Sequence, residues 1–599
     1  MTTQNTYAER LAALRAEMAR QGLDGFIVPR ADEHLGEYVP PCAERLAWLT
    51  GFTGSAGLAC VLADQAAVFT DGRYVLQLEQ QTDGTVWERR HITEEPPPAW
   101  LALHAPAGAL IGYDPMLLSE EGLGRYTEAG LRMEPVSRNP LDAVWTDRPA
   151  PPRAKARAHP LRFAGRESAD KRGEIAALLR SARQSAAILT DPASIAWLLN
   201  IRGDDVPFTP FALGFAILHD DGRTELFMDA AKLDDTVRAW LGNAVSLAAP
   251  EALGLGIARL RGRVRIDPAG SPVWFAQQVR AAGAEPVAGP DPCLLAKACK
   301  NEVEQSGARA AHARDAIALC RFLHWLAETA PSGTATEISA AGRLLALRAK
   351  HAEFQGESFP AISGAGEHGA VIHYRVTPDS DRPIRPNEVY LIDSGAQYPD
   401  GTTDVTRTIW TGPDTAPAEL RARATLVLKG HIAIATLVFP HGVGGAHLDA
   451  FARRALWQAG LDYDHGTGHG VGSYLSVHEG PVSLSRLAKP VPIAPGMILS
   501  NEPGLYIPGA YGIRLENLLL VQPATLPGAA KPFLRFETLT LAPFDRGLID
   551  PTLLDAAELA WLNVYHARVA AEVGPALDTA ARPWLEAACA PLERSGYPG

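Results

Sequence analysis

The sequence predicts a protein of mixed α/β and α+β class: two related N-terminal α/β domains, then a larger mixed domain carrying a helical C-terminal extension. Three observations carry that prediction. Helix-period and strand-period apolar patterns alternate through the N-terminal half, a proline-rich break divides that half, and short signatures recur on either side of the break. A chain of 599 residues, at about 100–200 residues per domain, requires several domains. Hydrophobic residues at 47% and charged residues at 21% support packed cores and exclude disorder, collagen-like repeats and coiled coil as descriptions of the whole.

Leu11, Leu14 and Met18 stand at helical spacing and precede the apolar run Gly25-Phe-Ile-Val28, which reads as a helix followed by a strand. Leu58 to Leu62 and Ala66 to Thr70 read as strands separated by Asp64-Gln65, with a turn at Asp71-Gly72. These belong to a first domain over residues 1–150. From Asp147 to Pro160, prolines and charges offer nothing to bury and forbid a continuous helix. A second domain, 160–292, repeats the first: a helix over about Lys171 to Arg183, then the run Ala186-Ala-Ile-Leu189. Ala196-Trp197-Leu198 answers Ala47-Trp48-Leu49, and Phe227-Met-Asp229 answers Phe69-Thr-Asp71, which points to duplication. Pro290-Asp-Pro292 closes this domain. Glu302 to Ala327 then reads as a long surface helix in a third domain, 293–540, and Leu553 to Val573 as a helix of an extension, 541–599, packed on that domain.

Fifty-six Lys and Arg against 68 Asp and Glu give a formal charge of −12, so no cationic excess exists to neutralise a phosphate backbone and no nucleic-acid partner is expected. The same balance leaves carboxylates for metal ions. The opening residues lack the cationic and apolar regions of a secretory signal, and no stretch reaches the roughly 18 apolar residues of a membrane span. A cytoplasmic protein without a membrane partner is expected. The six cysteines, Cys42, Cys60, Cys293, Cys299, Cys320 and Cys589, are sparse, and Cys293 and Cys299 lack a second pair at zinc spacing, so they read as thiols in a reducing compartment. No Gly-Lys pair occurs, which excludes a P-loop, and no serine has glycine at the second position on both sides, which excludes a nucleophile elbow.

The chemistry is concentrated in the third domain. Val389-Tyr-Leu-Ile-Asp393 is an apolar strand that ends in a carboxylate, and the turn residues Pro399, Asp400 and Gly401 let the chain return as the second strand of a hairpin carrying Asp404. Next comes His465-Gly-Thr-Gly-His469-Gly-Val-Gly472, followed by His478-Glu479-Gly-Pro481. Glycines at 466, 468, 470 and 472 disfavour a helix, so these two histidines are not the helical zinc pair of metalloproteases; the segment reads as a strand or loop whose backbone approaches a ligand. Glu502, in Ser500-Asn-Glu-Pro-Gly504, and Glu516, in Gly512-Ile-Arg-Leu-Glu-Asn517, place carboxylates at or inside apolar strands. Each alone has an ordinary explanation: a turn-capping aspartate, or a glutamate paired with an arginine such as Arg514. Together, Asp393, Asp404, His469, Glu502 and Glu516 would need separate partners, whereas two divalent ions satisfy all five. An oxygen-rich set with one imidazole suits Mn, Co, Fe or Zn, and two such ions can activate a bridging water.

These motifs resemble the aminopeptidase P (Xaa-Pro aminopeptidase) branch of the pita-bread metallopeptidases in its three-domain form, over nearly the whole chain. The resemblance rests on Ile392-Asp-Ser-Gly-Ala-Gln-Tyr398 with Asp400-Gly-Thr-Thr-Asp-Val-Thr-Arg407, on His465-Gly-Thr-Gly-His469-Gly-Val-Gly, and on Asn501-Glu-Pro-Gly504. It implies creatinase/prolidase-type N-terminal domains and removal of the N-terminal residue from peptides with proline second. It further implies that Asp393 binds one metal, His469 and Glu502 the other, and that Asp404 and Glu516 bridge them, with manganese as the usual ion. Glu502 is then the partner of the nucleophilic water, His478 a donor to the substrate carbonyl or oxyanion, and His373 and His465 substrate-site histidines. Arg514 would hold neighbouring carboxylates, and Tyr506 joins the substrate side. Relatives are commonly homodimers, for which Trp197 and Arg202 are candidate surface anchors. His368, His431, His441 and His447 match no site motif and read as structural or surface residues. A prolidase shares the five ligands, and a non-catalytic binding module would have lost some of them.

Overall fold

The computed structural model describes residues 3–594, with side chains from Thr6 onward; Met1 and Thr2, the first of the residues read above for a leader, lie outside. Residues 1–161 with 166–294 form one compact unit, and 162–165 with 295–599 form another.

In the first unit the helix Thr3–Arg20 buries Leu11, Leu14 and Met18, the face its spacing predicts. Six strands follow: β1 (Gly25–Pro29), β2 (Leu58–Leu62), β3 (Ala66–Thr70), β4 (Glu88–His91), β5 (Leu110–Tyr113) and β6 (Arg132–Pro135). Their order is β4-β3-β2-β1-β5-β6, antiparallel across β1–β2 and β2–β3 and parallel elsewhere. A second set comprises β7 (Ala186–Leu189), β8 (Phe215–His219), β9 (Thr224–Phe227), β10 (Val245–Ala248), β11 (Arg263–Ile266) and β12 (Glu285–Ala288). It is ordered β10-β9-β8-β7-β11-β12 with the same succession of directions. The recurring signatures fall at equivalent places. Trp48 and Trp197 lie in the helices Arg45–Thr50 and Pro192–Leu199 that follow β1 and β7, and Phe69 and Phe227 lie at or near the ends of β3 and β9.

The surface-anchor expectation fails for Trp197 and Arg202, which are 3% and 2% exposed. The Lys171 ammonium sits 4.6 Å over the Trp197 ring, and Arg202 donates to the carbonyls of Ala196 and Ile201. Every residue of Pro192–Leu199 is buried, so its apolar character serves internal packing.

The second unit opens with the helix Glu302–Thr329, started by a capping box in which Asn301 accepts from the Glu304 backbone while the Glu304 carboxylate accepts from the Asn301 N–H. Strands β13 (Ile362–Ala365), β14 (Val389–Ser394) and β15 (Val405–Trp410) form an antiparallel sheet with β14 central. Then come β16 (Val438–Pro440), β17 (Gly468–Gly470), β18 (Glu479–Leu484), β19 (Ile498–Asn501), the ribbon β20 (Gly504–Ile507) and β21 (Tyr511–Arg514), β22 (Asn517–Ala524) and β23 (Phe533–Thr538). Apart from the ribbon these make an antiparallel sheet ordered β16-β23-β22-β19-β17-β18. Helices Ala418–Ala435, Gly445–Gln458 and Ala556–Val573 supply Val427, Leu428, Ile432, Leu456, Leu562 and Val569 to a core that also takes Ile513 and Leu541.

The hairpin expected between Asp393 and Asp404 is more elaborate. Ala396–Tyr398 pairs with Gly401–Thr402 and with Gly356–Glu357 in a separate small sheet, so Asp404 re-enters one residue before β15, where Asp393 pairs with Thr406. A buried ion pair braces this insert. Arg348 Nε and Nη2 donate to Asp315 at 2.8 and 2.9 Å, Tyr398 OH donates to Asp315 at 3.0 Å, and Arg348 also reaches the Gly395 carbonyl at 3.3 Å. Removing the carboxylate leaves a buried guanidinium without its partner. Asp315→Ala is expected to lower the unfolding free energy by about 3–5 kcal/mol, read as a shifted urea midpoint at unchanged slope.

Candidate metal centre

Each ligand candidate stands at a strand end or junction. Asp393 is the fifth residue of β14, Asp404 precedes β15, His469 is central in β17, Glu502 follows β19, and Glu516 sits between β21 and β22. Antiparallel sheets bring these points together. Asp404, His469 and Glu516 each offer a ligand atom within 4.8 Å of the other two. His469 Nε2 lies 3.5 Å from both Asp404 Oδ2 and Glu502 Oε1. Asp393 joins through Arg514, whose Nη2 donates to Asp393 Oδ2 at 2.6 Å and whose Nε donates to Thr406 Oγ1 at 3.3 Å; Thr406 in turn donates to Glu516 Oε2 at 2.7 Å.

This is a concentration of negative charge removed from water: Asp393, Asp404 and Glu516 are 7%, 4% and 1% exposed. Burial is the first influence on the protonation of Asp393, Glu502 and Glu516. Glu516 is held well above the ordinary carboxylate range by burial and then by the charges of Asp404, Asp393 and Glu502. Burial pushes Glu502 up to about 7 and Asp393 upward, against the pull of His469 and Arg514 on the former and of Arg514 on the latter. Burial alone would lower His469, but its bond to Asp404 and the charge of Glu502 outweigh that and raise it to about 9.

The donor set fits divalent cations. Asp393 Oδ1 and Asp404 Oδ1 are buried and have no protein partner among the described residues. His469 Nδ1–H donates to the Gly470 carbonyl at 2.9 Å, which fixes the tautomer and leaves Nε2 for coordination. The structure therefore contains a metal-binding site built on Asp404, His469 and Glu516. All six cysteines are free thiols.

Around this cluster the structure gathers Arg514, Tyr506, His465 and His478. Arg514 Nη1 donates to Tyr506 OH at 2.8 Å, and Tyr506 OH bonds His465 Nε2 at 2.8 Å. Since His465 Nδ1 bonds the Gly466 carbonyl at 2.8 Å, both ring nitrogens are engaged. His478 packs edge-on to His469 with centroids 4.3 Å apart. His373 is half-buried in the loop after the turn Gly366–Ala370, beside Tyr374, whose hydroxyl donates to Glu337. His431 is fully buried and pushed down to about 3 by burial and then Arg407, as suits a structural residue.

Gly468 and Gly470 are required by the packing of the strands themselves. A Cβ on Gly468 would lie 2.0 Å from the Ser500 carbonyl oxygen, and one on Gly470 would lie 2.2 Å from that of Glu479. They let three strands close on one another. Sequence reasoning missed Thr406 and Ser500. Ser500 Oγ accepts from the His469 N–H at 2.9 Å and donates to Glu502 Oε1 at 3.1 Å. Both stand two residues from a ligand, so the period-2 alternation of a strand held the signal.

Comparison with known proteins matches four successive segments of the chain. Residues 306–523 match metallopeptidase family M24, 10–139 and 147–304 each match the creatinase/prolidase N-terminal domain, and 532–592 match the C-terminal region of that peptidase family. The "Probable Xaa-Pro aminopeptidase P" of Aspergillus flavus is 41% identical over 99% of this chain and 94% of its own length. The protein of the same name from Aspergillus niger is 39% identical over 98% and 99%. The crystal structure of X-prolyl aminopeptidase from Caenorhabditis elegans, described as a cytosolic enzyme with a di-nuclear active site, superposes with a TM-score of 0.93 at 34% identity over 98% of this chain and 100% of that one. With two creatinase-type α/β domains, a pita-bread domain and a buried carboxylate-histidine centre, the chain belongs to the aminopeptidase P family of M24 metallopeptidases.

Proposed function

We propose that the chain removes the N-terminal residue from peptides with proline in the second position, and that Asp393, Asp404, His469, Glu502 and Glu516 hold two divalent cations, manganese by preference. The observation that carries this reading is the convergence of those five side chains in a buried cluster whose free carboxylate oxygens call for cations. Bound cations supply Lewis acidity and a water acidified to a nucleophile near neutral pH. The side chains do the rest.

Glu502, beside His469, takes a proton from the attacking water and passes it to the proline nitrogen, a poor leaving group without one. His478, against the His469 ring, donates to the carbonyl oxygen as negative charge develops there. Arg514 grips Asp393 by a hydrogen bond and, through Tyr506, orients His465. With both nitrogens engaged, His465 offers substrate its ring surface, which suits a proline ring, and His373 borders the N-terminal residue. Recognition of a free α-amino group by a carboxylate or cation of the cluster restricts cutting to the first residue.

The domains are read as 1–150, 160–292, 293–540 and 541–599. The enzyme is further proposed to work in the cytoplasm as a homodimer without a nucleic-acid partner. Six free thiols suit a reducing compartment, the net charge of −12 repels polyanions, and the C. elegans relative is described as cytosolic. No helix among the described residues is long and apolar enough to cross a membrane.

Metal-stripped protein is expected to release arginine from Arg-Pro-Pro only after manganese is added, with little cleavage of Ala-Pro. Preferential dipeptide cleavage would make the enzyme a prolidase, and no turnover with any divalent metal would sink both readings. His478→Ala should lower kcat about 10²–10³-fold, the usual cost of losing an oxyanion donor.

Linkage supplies a second expectation. Glu502, raised from 4.5 to about 7, binds more protons folded than unfolded across that interval, so its contribution to the stability of metal-stripped protein falls as pH rises through it. His469, raised from 6.5 to about 9, contributes stability that is whole below 6.5 and lost as pH rises through 9. Cations replace those protons. The Tm difference between manganese-loaded and stripped protein should therefore widen with pH, and calorimetry in buffers of different ionisation enthalpy should register proton release on binding. A Tm difference independent of pH would contradict the proposed ligand set.

A further inference from the structure

One buried ion cluster in the second unit has no part in the reaction as derived above. Glu479, the residue after His478, accepts from Lys300 Nζ at 2.5 Å and from Lys297 Nζ at 3.2 Å. The three side chains are 1%, 2% and 3% exposed in that order. Lys297 lies in the short helix Leu294–Ala298, and Lys300 just ahead of the capping box is fixed by its N–H donating to the Gly496 carbonyl at 3.0 Å.

Glu479 is also where the His469 strand meets the His478 segment. Along β17 and β18, Gly468 pairs with Leu484 and His469 with Ser483, but the next pair is Gly470 with Glu479, so residues 480–482 bulge out of the ladder. The approach is close. A Cβ on Gly470 would lie 2.2 Å from the Glu479 carbonyl oxygen, and one on Gly472 would lie 3.2 Å from Glu479 Oε2. A bulge leaves register free to slip unless something pins it, and a buried charged clasp is better suited to fixing one arrangement than to adding stability. The arrangement it fixes has the His478 ring against that of His469 at 4.3 Å.

We propose that Glu479, gripped by Lys297 and Lys300, is a positioning residue for the hydrolysis: it anchors the bulged strand so that His478 stands at a set place relative to His469 and to the scissile carbonyl. This rests on the reading of His478 as the donor to that carbonyl. A displacement of about 1 Å at such a donor is enough to cost about 10²-fold in rate.

A double-mutant cycle on the full-length, manganese-loaded enzyme tests it, with His478→Ala, Glu479→Gln and the double variant assayed on Arg-Pro-Pro for kcat and KM. Metal content is measured in each. Glu479→Gln is expected to lower kcat about 10–100-fold with KM and bound metal little changed, and to have almost no further effect in the His478→Ala background. Equal losses in both backgrounds, or, where His478→Ala is itself impaired, an unchanged kcat in the folded Glu479→Gln variant, would overturn the proposal. Should Glu479→Gln not fold, Lys300→Arg and Lys297→Met enter the same cycle, with the arginine variant expected to retain more activity than the methionine one. A crystal structure of the Glu479→Gln or Lys297→Met variant separates the two readings. A displaced His478 ring supports the anchor even if His478→Ala proves fully active, which would refute only the role given to His478; an unmoved ring overturns the anchor whatever the rates.

Discussion

Mutual repulsion among carboxylates taken out of water is the constraint to which the second unit is built. The charge of Asp404 and of their other neighbours raises the proton affinity of Asp393, Glu502 and Glu516, and Arg514 bonds directly to just one carboxylate of the cluster among the described residues. In the chain alone, protons supply the missing positive charge, which is why His469 is raised to about 9. A divalent cation at Asp404, His469 and Glu516 would supply that charge instead.

Such a cluster persists only if the backbone over-determines it. Asp393, Glu502 and Glu516 are attached to strands paired on both sides, β14 between β13 and β15, β19 between β17 and β22, and β22 between β19 and β23, while Asp404 enters the edge strand β15, held by β14. Thr406 and Ser500 then hold Glu516 and Glu502 from positions two residues along from Asp404 and Glu502. Beneath them Arg407 donates to the carbonyls of Glu516, Ala542 and Pro543 and covers the Phe544 ring at 4.4 Å, tying the cluster's floor to the apolar core.

Much of this was legible in the sequence because the relevant signals are local. Strands β2 and β3 and the helix face of Leu11, Leu14 and Met18 follow from apolar period, and the metal-site residues Asp404, His469 and Glu516 follow from carboxylates and an imidazole set in apolar or glycine-rich runs. What escaped depends on partners distant in the chain. Trp197 and Arg202 look like surface residues until Lys171 and the buried helix around them are seen. The glycines of the 466–472 segment suggest a ligand because the carbonyls of Ser500 and Glu479, which actually crowd them, lie up to 32 positions away. Lys297 and Lys300 belong to a connector with no pattern of its own, and only folding brings them to Glu479.

The two histidines of that segment show how one residue type is turned to two uses. In both, the ring Nδ1–H is directed to the carbonyl of the following glycine, Gly466 or Gly470, so Nδ1 is occupied in the same way and Nε2 is the nitrogen left to face a partner. The difference lies across the strand. His465 Nε2 meets the Tyr506 hydroxyl, a neutral donor whose own proton acceptor role is filled by Arg514, and the ring is locked as a wall. His469 Nε2 meets two carboxylate oxygens, Asp404 Oδ2 and Glu502 Oε1, at 3.5 Å each, an anionic setting that suits a divalent cation. The local sequence thus prepares two equivalent imidazoles, and the charge of what faces each one decides which is a ligand.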